Sequence, residues 1–120
     1  MTARIVLIED DPDTVALINE MLADLGHQVD TRARLEDGDG DGQAQLVITD
    51  LVSLHAFDLP AAKEWIVRVR ALFPNARVVV STAHAPAATA GADGLGADAV
   101  LTKPFDIADF TAMVESLLGT

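Results

Sequence analysis

Ile5-Val6-Leu7-Ile8-Glu9-Asp10-Asp11-Pro12 governs how the rest of the chain is read. The apolar residues at its start, mostly β-branched, suit a strand buried on both faces. Acids follow without a break, and then a proline. Pro12 fits the first position of a helix and Asp11 its N-cap. Leu17, Ile18, Met21, Leu22 and Leu25 then recur on one helical face as far as Gly26, which fits the C-terminal stop. A buried strand, an acidic turn and an amphipathic helix make a β–α unit. Its carboxylates lie at the carboxyl end of the strand.

Outward from this unit the alternation repeats. Gln28 to Thr31 reads as a weak second strand, Leu46-Val47-Ile48-Thr49 as a third, Arg77-Val78-Val79-Val80-Ser81 as a fourth and Ala99-Val100-Leu101-Thr102 as a fifth. Helices are expected from Pro60 to Phe73, closed by Pro74, and again after the cap Asp106, where Phe110, Met113, Val114, Leu117 and Leu118 share a face. Strands apolar on both faces, separated by helices, imply a parallel sheet covered on both sides with right-handed crossovers. The expected fold is α/β, a flavodoxin-like three-layer sandwich with five strands in the order 2-1-3-4-5. Two connections depart from it. Between Thr31 and Leu46, Gly38, Gly40 and Gly42 oppose a helix, so the second helix is expected to be short or absent. From Ala85 to Asp98, Gly91, Gly94 and Gly96 predict a loosely held fourth helix.

Composition bounds the rest. The chain has 120 residues, half of them hydrophobic but only 4% aromatic, which predicts one domain over 1–120 with an aliphatic core. It ends at Thr120 without room for an output domain, so we expect a stand-alone module or one cut from a longer protein. No run approaches the roughly 18 apolar residues of a membrane span, and no signal peptide is visible, which makes the cytoplasm the expected compartment. There is no cysteine, which excludes disulfides and thiolate metal sites. The net charge of −11 argues against direct nucleic-acid binding.

In such a sheet the ligand crevice lies at the carboxyl ends of the strands. There stand Glu9, Asp10 and Asp11 after the first strand, Asp50 after the third, Ser81 and Thr82 at the end of the fourth, and Lys103-Pro104 after the fifth. Asp11 is read mainly as the helix cap. Crowded carboxylates oppose one another, by roughly 4 kcal/mol at about 4 Å and an effective dielectric near 20. Lys103 offsets part of this, and a hard divalent cation would offset more. Mg²⁺, or Mn²⁺ in its place, suits a site with few carboxylates and room for water. A carboxylate can be the nucleophile of phosphoryl transfer, a reaction that needs mainly positioning and charge neutralisation.

On these segments the chain resembles, over its whole length, the receiver domain of two-component response regulators. The matching stretches are Val6-Leu7-Ile8-Glu9-Asp10-Asp11-Pro12, Leu46-Val47-Ile48-Thr49-Asp50-Leu51, Val79-Val80-Ser81-Thr82-Ala83 and Gly96-Ala97-Asp98-Ala99-Val100-Leu101-Thr102-Lys103-Pro104-Phe105. The resemblance implies that Glu9 and Asp10 bind the metal together with Asp50 and the backbone carbonyl of Val52. It implies that Asp50 accepts the phosphoryl group, that Thr82 is the switch hydroxyl, that Lys103 binds the phosphate and that Ala83 leaves room for it. It also implies a phosphohistidine donor, on a sensor histidine kinase or a histidine phosphotransfer protein, and an unknown output protein. A receiver catalyses its own phosphorylation and dephosphorylation without being a conventional enzyme.

The departures are specific. Val100 stands where the family carries an aromatic ring, and Leu54 where it carries a proline. The loop after Asp50 is longer than usual. Val52 and His84 occupy the positions that tune phosphate lifetime; His84 is read as an exposed loop histidine, with phosphate shielding as the alternative. Without the ring, phosphorylation is expected to act on the order of Ala85 to Gly96. The alternative function is a phosphorylation-independent binding module with a receiver fold, which the lost ring favours and the complete polar set opposes. Asp37-Gly38-Asp39-Gly40-Asp41-Gly42 imitates the start of a calcium loop, but the required glutamate position is Ile48, inside a strand. Acids after the first strand also oppose a nucleotide or flavin phosphate there.

Overall fold

The computed structural model describes residues 2–35, 38–50, 58–83 and 85–119. Its elements in chain order are β1 (Arg4–Ile8), α1 (Pro12–Asp24), β2 (Gln28–Arg32), β3 (Leu46–Thr49), α2 (Leu59–Leu72), β4 (Arg77–Thr82), α3 (Ala85–Leu95), β5 (Ala99–Thr102) and α4 (Ile107–Leu118). The strands form one parallel sheet in the order β2-β1-β3-β4-β5, as the alternation of segments predicts.

Side chains alternate across the sheet and divide the core into two layers. Ile5, Leu7, Leu46, Ile48, Val79 and Leu101 point to one face, where Ile18, Met21 and Leu22 of α1 and Phe110 and Val114 of α4 cover them. Val6, Ile8, Val47, Val78 and Val80 point to the other, under Ala62, Trp65, Ile66 and Val69 of α2. The capping residues behave as their chemistry dictates. The Asp11 carboxylate accepts the Thr14 N–H at 3.0 Å, and Asp106 accepts the Asp109 N–H at 2.7 Å. Asp98 anchors the start of β5 by accepting the Val78 N–H at 2.8 Å and pairing with Arg70 at 3.2 Å.

The connection from β2 to β3 holds no α-helix among its described residues. Val6 and Ile8 register with Asp30 and Arg32, so Gln28, Asp30 and Arg32 occupy the part of the α2 face that such a helix would cover. All are polar. Arg32 bonds Asp30 at 3.0 Å and lays its guanidinium 5.1 Å from the centre of the Phe73 ring. Gly38 sits against that guanidinium, where a Cβ would come within 2.9 Å of Cζ. Leu35 and Ala44 supply the buried apolar contacts of the loop. Gly40 passes so close to the end of α2 that a Cβ would lie 2.6 Å from the Leu72 carbonyl oxygen. The Asp41 carboxylate pairs with Arg4 at 2.6 Å and accepts the Gln43 N–H at 2.8 Å. Asp37 lies outside the described residues.

The segment expected to be a loose helix is α3, and it is broken inside. Gly91 has φ 72° and ψ 178°, values that interrupt the helical turn and that only glycine adopts without strain. Among the described residues, no helix is long and apolar enough to cross a membrane.

Candidate functional site

Three backbone hydrogen bonds carry the sheet one residue past its strands and fix the side chains that follow. Glu9 N–H donates to the Arg32 carbonyl at 2.9 Å, Asp50 N–H to the Ile8 carbonyl at 2.9 Å and Lys103 N–H to the Thr82 carbonyl at 2.8 Å. The residues after β1, β3 and β5 are therefore held by main chain, not by loop packing. The Lys103–Pro104 peptide is cis.

Lys103 closes the site. Its Nζ donates to Glu9 Oε1 at 2.7 Å and to Asp50 Oδ2 at 3.1 Å. The other Glu9 oxygen, Oε2, accepts the backbone N–H groups of Asp10 and Asp11 at 3.1 and 3.3 Å. Glu9 is buried, Asp50 is half-buried and Asp10 is exposed. Burial pushes the Glu9 carboxyl above its ordinary range and the Asp50 charge adds to this, while the Lys103 bond pulls the other way. Burial works against the Lys103 charge, yet the bond to Glu9 and the charge of Asp50 prevail and raise its pKa. Asp11 is lowered by its bonds to Thr14, as expected of an ionised cap.

Carboxylate oxygens of Glu9, Asp10 and Asp50 lie within 4.8 Å of one another. A cluster of hard oxygen donors at this spacing fits a hard divalent cation. Thr82 is buried at the end of β4, with its carbonyl bonded to Lys103 N–H. Val100 packs, partly buried, against the α2-side core, as do Ala90 and Ala97. A groove of about 330 Å³ opens beside the site, lined by Thr14, Leu17, Ala83, Lys103, Pro104 and Phe105. Of the residues singled out from sequence, Glu9, Asp10, Asp50, Thr82 and Lys103 come to one edge of the sheet. Val52, Leu54 and His84 lie outside the described residues.

Two residues escaped the sequence reading. Trp65, inside the helix expected from Pro60 to Phe73, donates its indole N–H to Thr49 Oγ1 at 2.9 Å. Thr49 Oγ1 in turn donates to the Asp50 carbonyl at 2.7 Å. The available signal was that a buried tryptophan needs an acceptor for its N–H.

No protein-family model matches the chain. Over its full length it is 33% identical to the DNA-binding transcriptional regulator NtrC of Azospirillum brasilense, and it spans 25% of that protein. Its fold is that of solved receiver domains. That of the sensor histidine kinase PA1611 from Pseudomonas aeruginosa, solved with a magnesium ion coordinated in its active-site cleft, superimposes with a TM-score of 0.73 at 21% identity, covering 100% of both chains. The non-phosphorylated HemR receiver domain from Leptospira biflexa gives 0.74 at 23% identity, over 98% of this chain and 95% of that one. The response regulator TrrA from Thermotoga maritima, solved in complex with Mg²⁺ and BeF, gives 0.68 at 24%, over 97% of this chain and 99% of that one. Over its full length the chain thus has the fold of response-regulator receiver domains and is similar in sequence to a quarter of NtrC.

Proposed function

We propose that this receiver accepts a phosphoryl group on Asp50 in a Mg²⁺-dependent reaction and signals through protein–protein contact. The observation that carries this reading is Lys103 bonded at once to Glu9 and Asp50, across three strand ends, beside a carboxylate cluster of cation-binding spacing. Glu9, Asp10 and Asp50 would hold the cation, with the Val52 carbonyl as a further ligand. When bound, the cation supplies positive charge for the phosphoryl oxygens. An Asp50 carboxylate oxygen attacks phosphorus, a P–O bond forms, and the P–N bond of a phosphohistidine breaks. The imidazole leaves with the bonding pair and takes up a proton. Lys103 neutralises one developing oxygen charge and the Thr82 hydroxyl meets another.

The donor on this reading is a sensor histidine kinase or a histidine phosphotransfer protein, and the reaction takes place in the cytoplasm. The output partner is a protein, since a net charge of −11 repels nucleic acid. With Val100 in place of a ring, the signal passes through α3, whose turn is already broken at Gly91. The test is incubation with acetyl phosphate and Mg²⁺ followed by intact mass. One added phosphoryl group, absent in Asp50→Asn and absent without Mg²⁺, is the expected result. Equal labelling of Asp50→Asn would overturn the assignment. No labelling of the wild type by acetyl phosphate or by a phosphohistidine donor would leave the phosphorylation-independent binding module as the better reading.

A further inference from the structure

The peptide groups on both sides of Asp50 are held. Its N–H donates to the Ile8 carbonyl at 2.9 Å, a bond that belongs to the sheet. Its carbonyl points past the end of β3 and accepts the Thr49 hydroxyl at 2.7 Å. That hydroxyl accepts the Trp65 indole N–H at 2.9 Å. The direction of the chain is fixed by chemistry. An indole N–H can only donate and a carbonyl can only accept, so the threonine hydroxyl must receive from the first and give to the second. Thr49 is wholly buried and Trp65 nearly so, which leaves little opportunity for water to replace either bond.

We propose that Trp65 is a positioning residue for the phosphoacceptor, holding the Thr49 hydroxyl on the Asp50 carbonyl and so fixing the backbone from which the Asp50 carboxylate departs. This rests on the reading of Asp50 as phosphoacceptor. The geometry gives the chain a reason beyond stability. The Asp50 carboxylate must meet Lys103 at 3.1 Å while staying within reach of Glu9 and Asp10. A rotation about the Asp50 backbone would move it relative to all of them. The sheet restrains one peptide group, and Trp65 and Thr49 restrain the other. The restraint comes from α2, an element that contributes no side chain to the carboxylate cluster. Alignment of the reacting group is worth rate in proportion to how well it is kept.

The experiment measures the labelling rate by acetyl phosphate at saturating Mg²⁺, with thermal unfolding of every variant alongside. Trp65→Phe keeps a ring and removes the N–H. Thr49→Val keeps the shape and removes the hydroxyl. Thr49→Ser keeps the hydroxyl. Ile66→Val removes a methylene from the same core layer without touching the chain. Each of the first two should label about fivefold more slowly, the factor that one net hydrogen bond is worth. The double variant should be no slower than the slower single one, because both break one chain. Thr49→Ser should recover most of the rate, and Ile66→Val should label like wild type at comparable loss of stability. Wild-type rates in Trp65→Phe and Thr49→Val would overturn the proposal while leaving Asp50 as acceptor. Rates that merely follow stability, with Ile66→Val as slow as Trp65→Phe, would overturn it in favour of a structural role. Should the wild type itself take no label, the acceptor assignment falls first and the proposal with it.

Discussion

The two faces of the sheet are finished differently. On the α1–α4 face, Ile5, Leu7, Leu46, Ile48, Val79 and Leu101 are all buried beneath the two helices. On the α2 face the cover stops short of the β2 edge, and Asp30 and Gln28 meet solvent there. Yet Glu9, Asp50 and Lys103 assemble regardless, because main-chain hydrogen bonds at the strand ends place them. The site depends on the sheet and not on a full set of helices.

This comparison predicts unequal sensitivity, and the largest effect belongs to the finished face. Phe110 is fully buried between α4 and the sheet, stacked 5.6 Å from Phe105. Phe110→Ala should cost about 3–5 kcal/mol in urea unfolding. Gln28→Ala, on the open face, should stay within about 0.5 kcal/mol. Gln28 is exposed at the start of β2. Equal costs at the two positions would show that the open face is as tightly specified as the closed one.

The strand-end site should respond to pH in a way neither face does. Glu9 holds its proton more tightly than an ordinary carboxyl, first because it is buried and then because Asp50 is near. Protons therefore compete with a cation for Glu9 at a higher pH than they would at an exposed carboxylate. Mg²⁺ affinity, measured by calorimetry, should begin to fall above the usual carboxylate range and then drop about tenfold per pH unit. Lys103 opposes the upward shift through its bond to Glu9. Lys103→Met should accordingly move the onset to still higher pH. A fall that begins only at the ordinary carboxylate range, in both proteins, would mean that burial does not govern Glu9.

What was legible in the sequence divides along the same line. β-Branched runs such as Val78-Val79-Val80 and caps such as Asp11 and Asp106 act locally, so strands and helix ends could be read directly, and the strand order followed from the fold class that their alternation implies. The site residues were legible because they directly follow those strands. Glycines 38, 40 and 42 announced that the described residues between β2 and β3 hold no α-helix, since their effect is also local. The Trp65–Thr49 bond was not legible, because it joins residues 16 apart whose meeting depends on how α2 sits on the sheet. Nor was the role of Arg32, which reads as a polar end to a weak strand and proves to be one of the most buried charges in the fold.

Arg32 gives the smallest expected effect and the finest test of how the open face is filled. Only 8% of its surface is exposed, and its guanidinium lies between the Phe73 ring and Gly38. One of its nitrogens, NH1, is buried with no hydrogen-bond partner among the described residues. A buried donor left unpaired costs about 1–3 kcal/mol, while a guanidinium placed over an aromatic ring returns about 0.5–2 kcal/mol. The two nearly cancel, so the side chain contributes mainly by occupying space. Methionine has similar length and no donor to satisfy. Arg32→Met should then change the unfolding free energy by no more than about 1 kcal/mol in either direction, the loss of the Asp30 bond being offset by removal of the unpaired nitrogen. Arg32→Ala leaves a void beneath the loop and should cost about 2 kcal/mol or more. A large loss in Arg32→Met, matching that of Arg32→Ala, would mean that charge rather than volume closes the β2 edge of the α2 face.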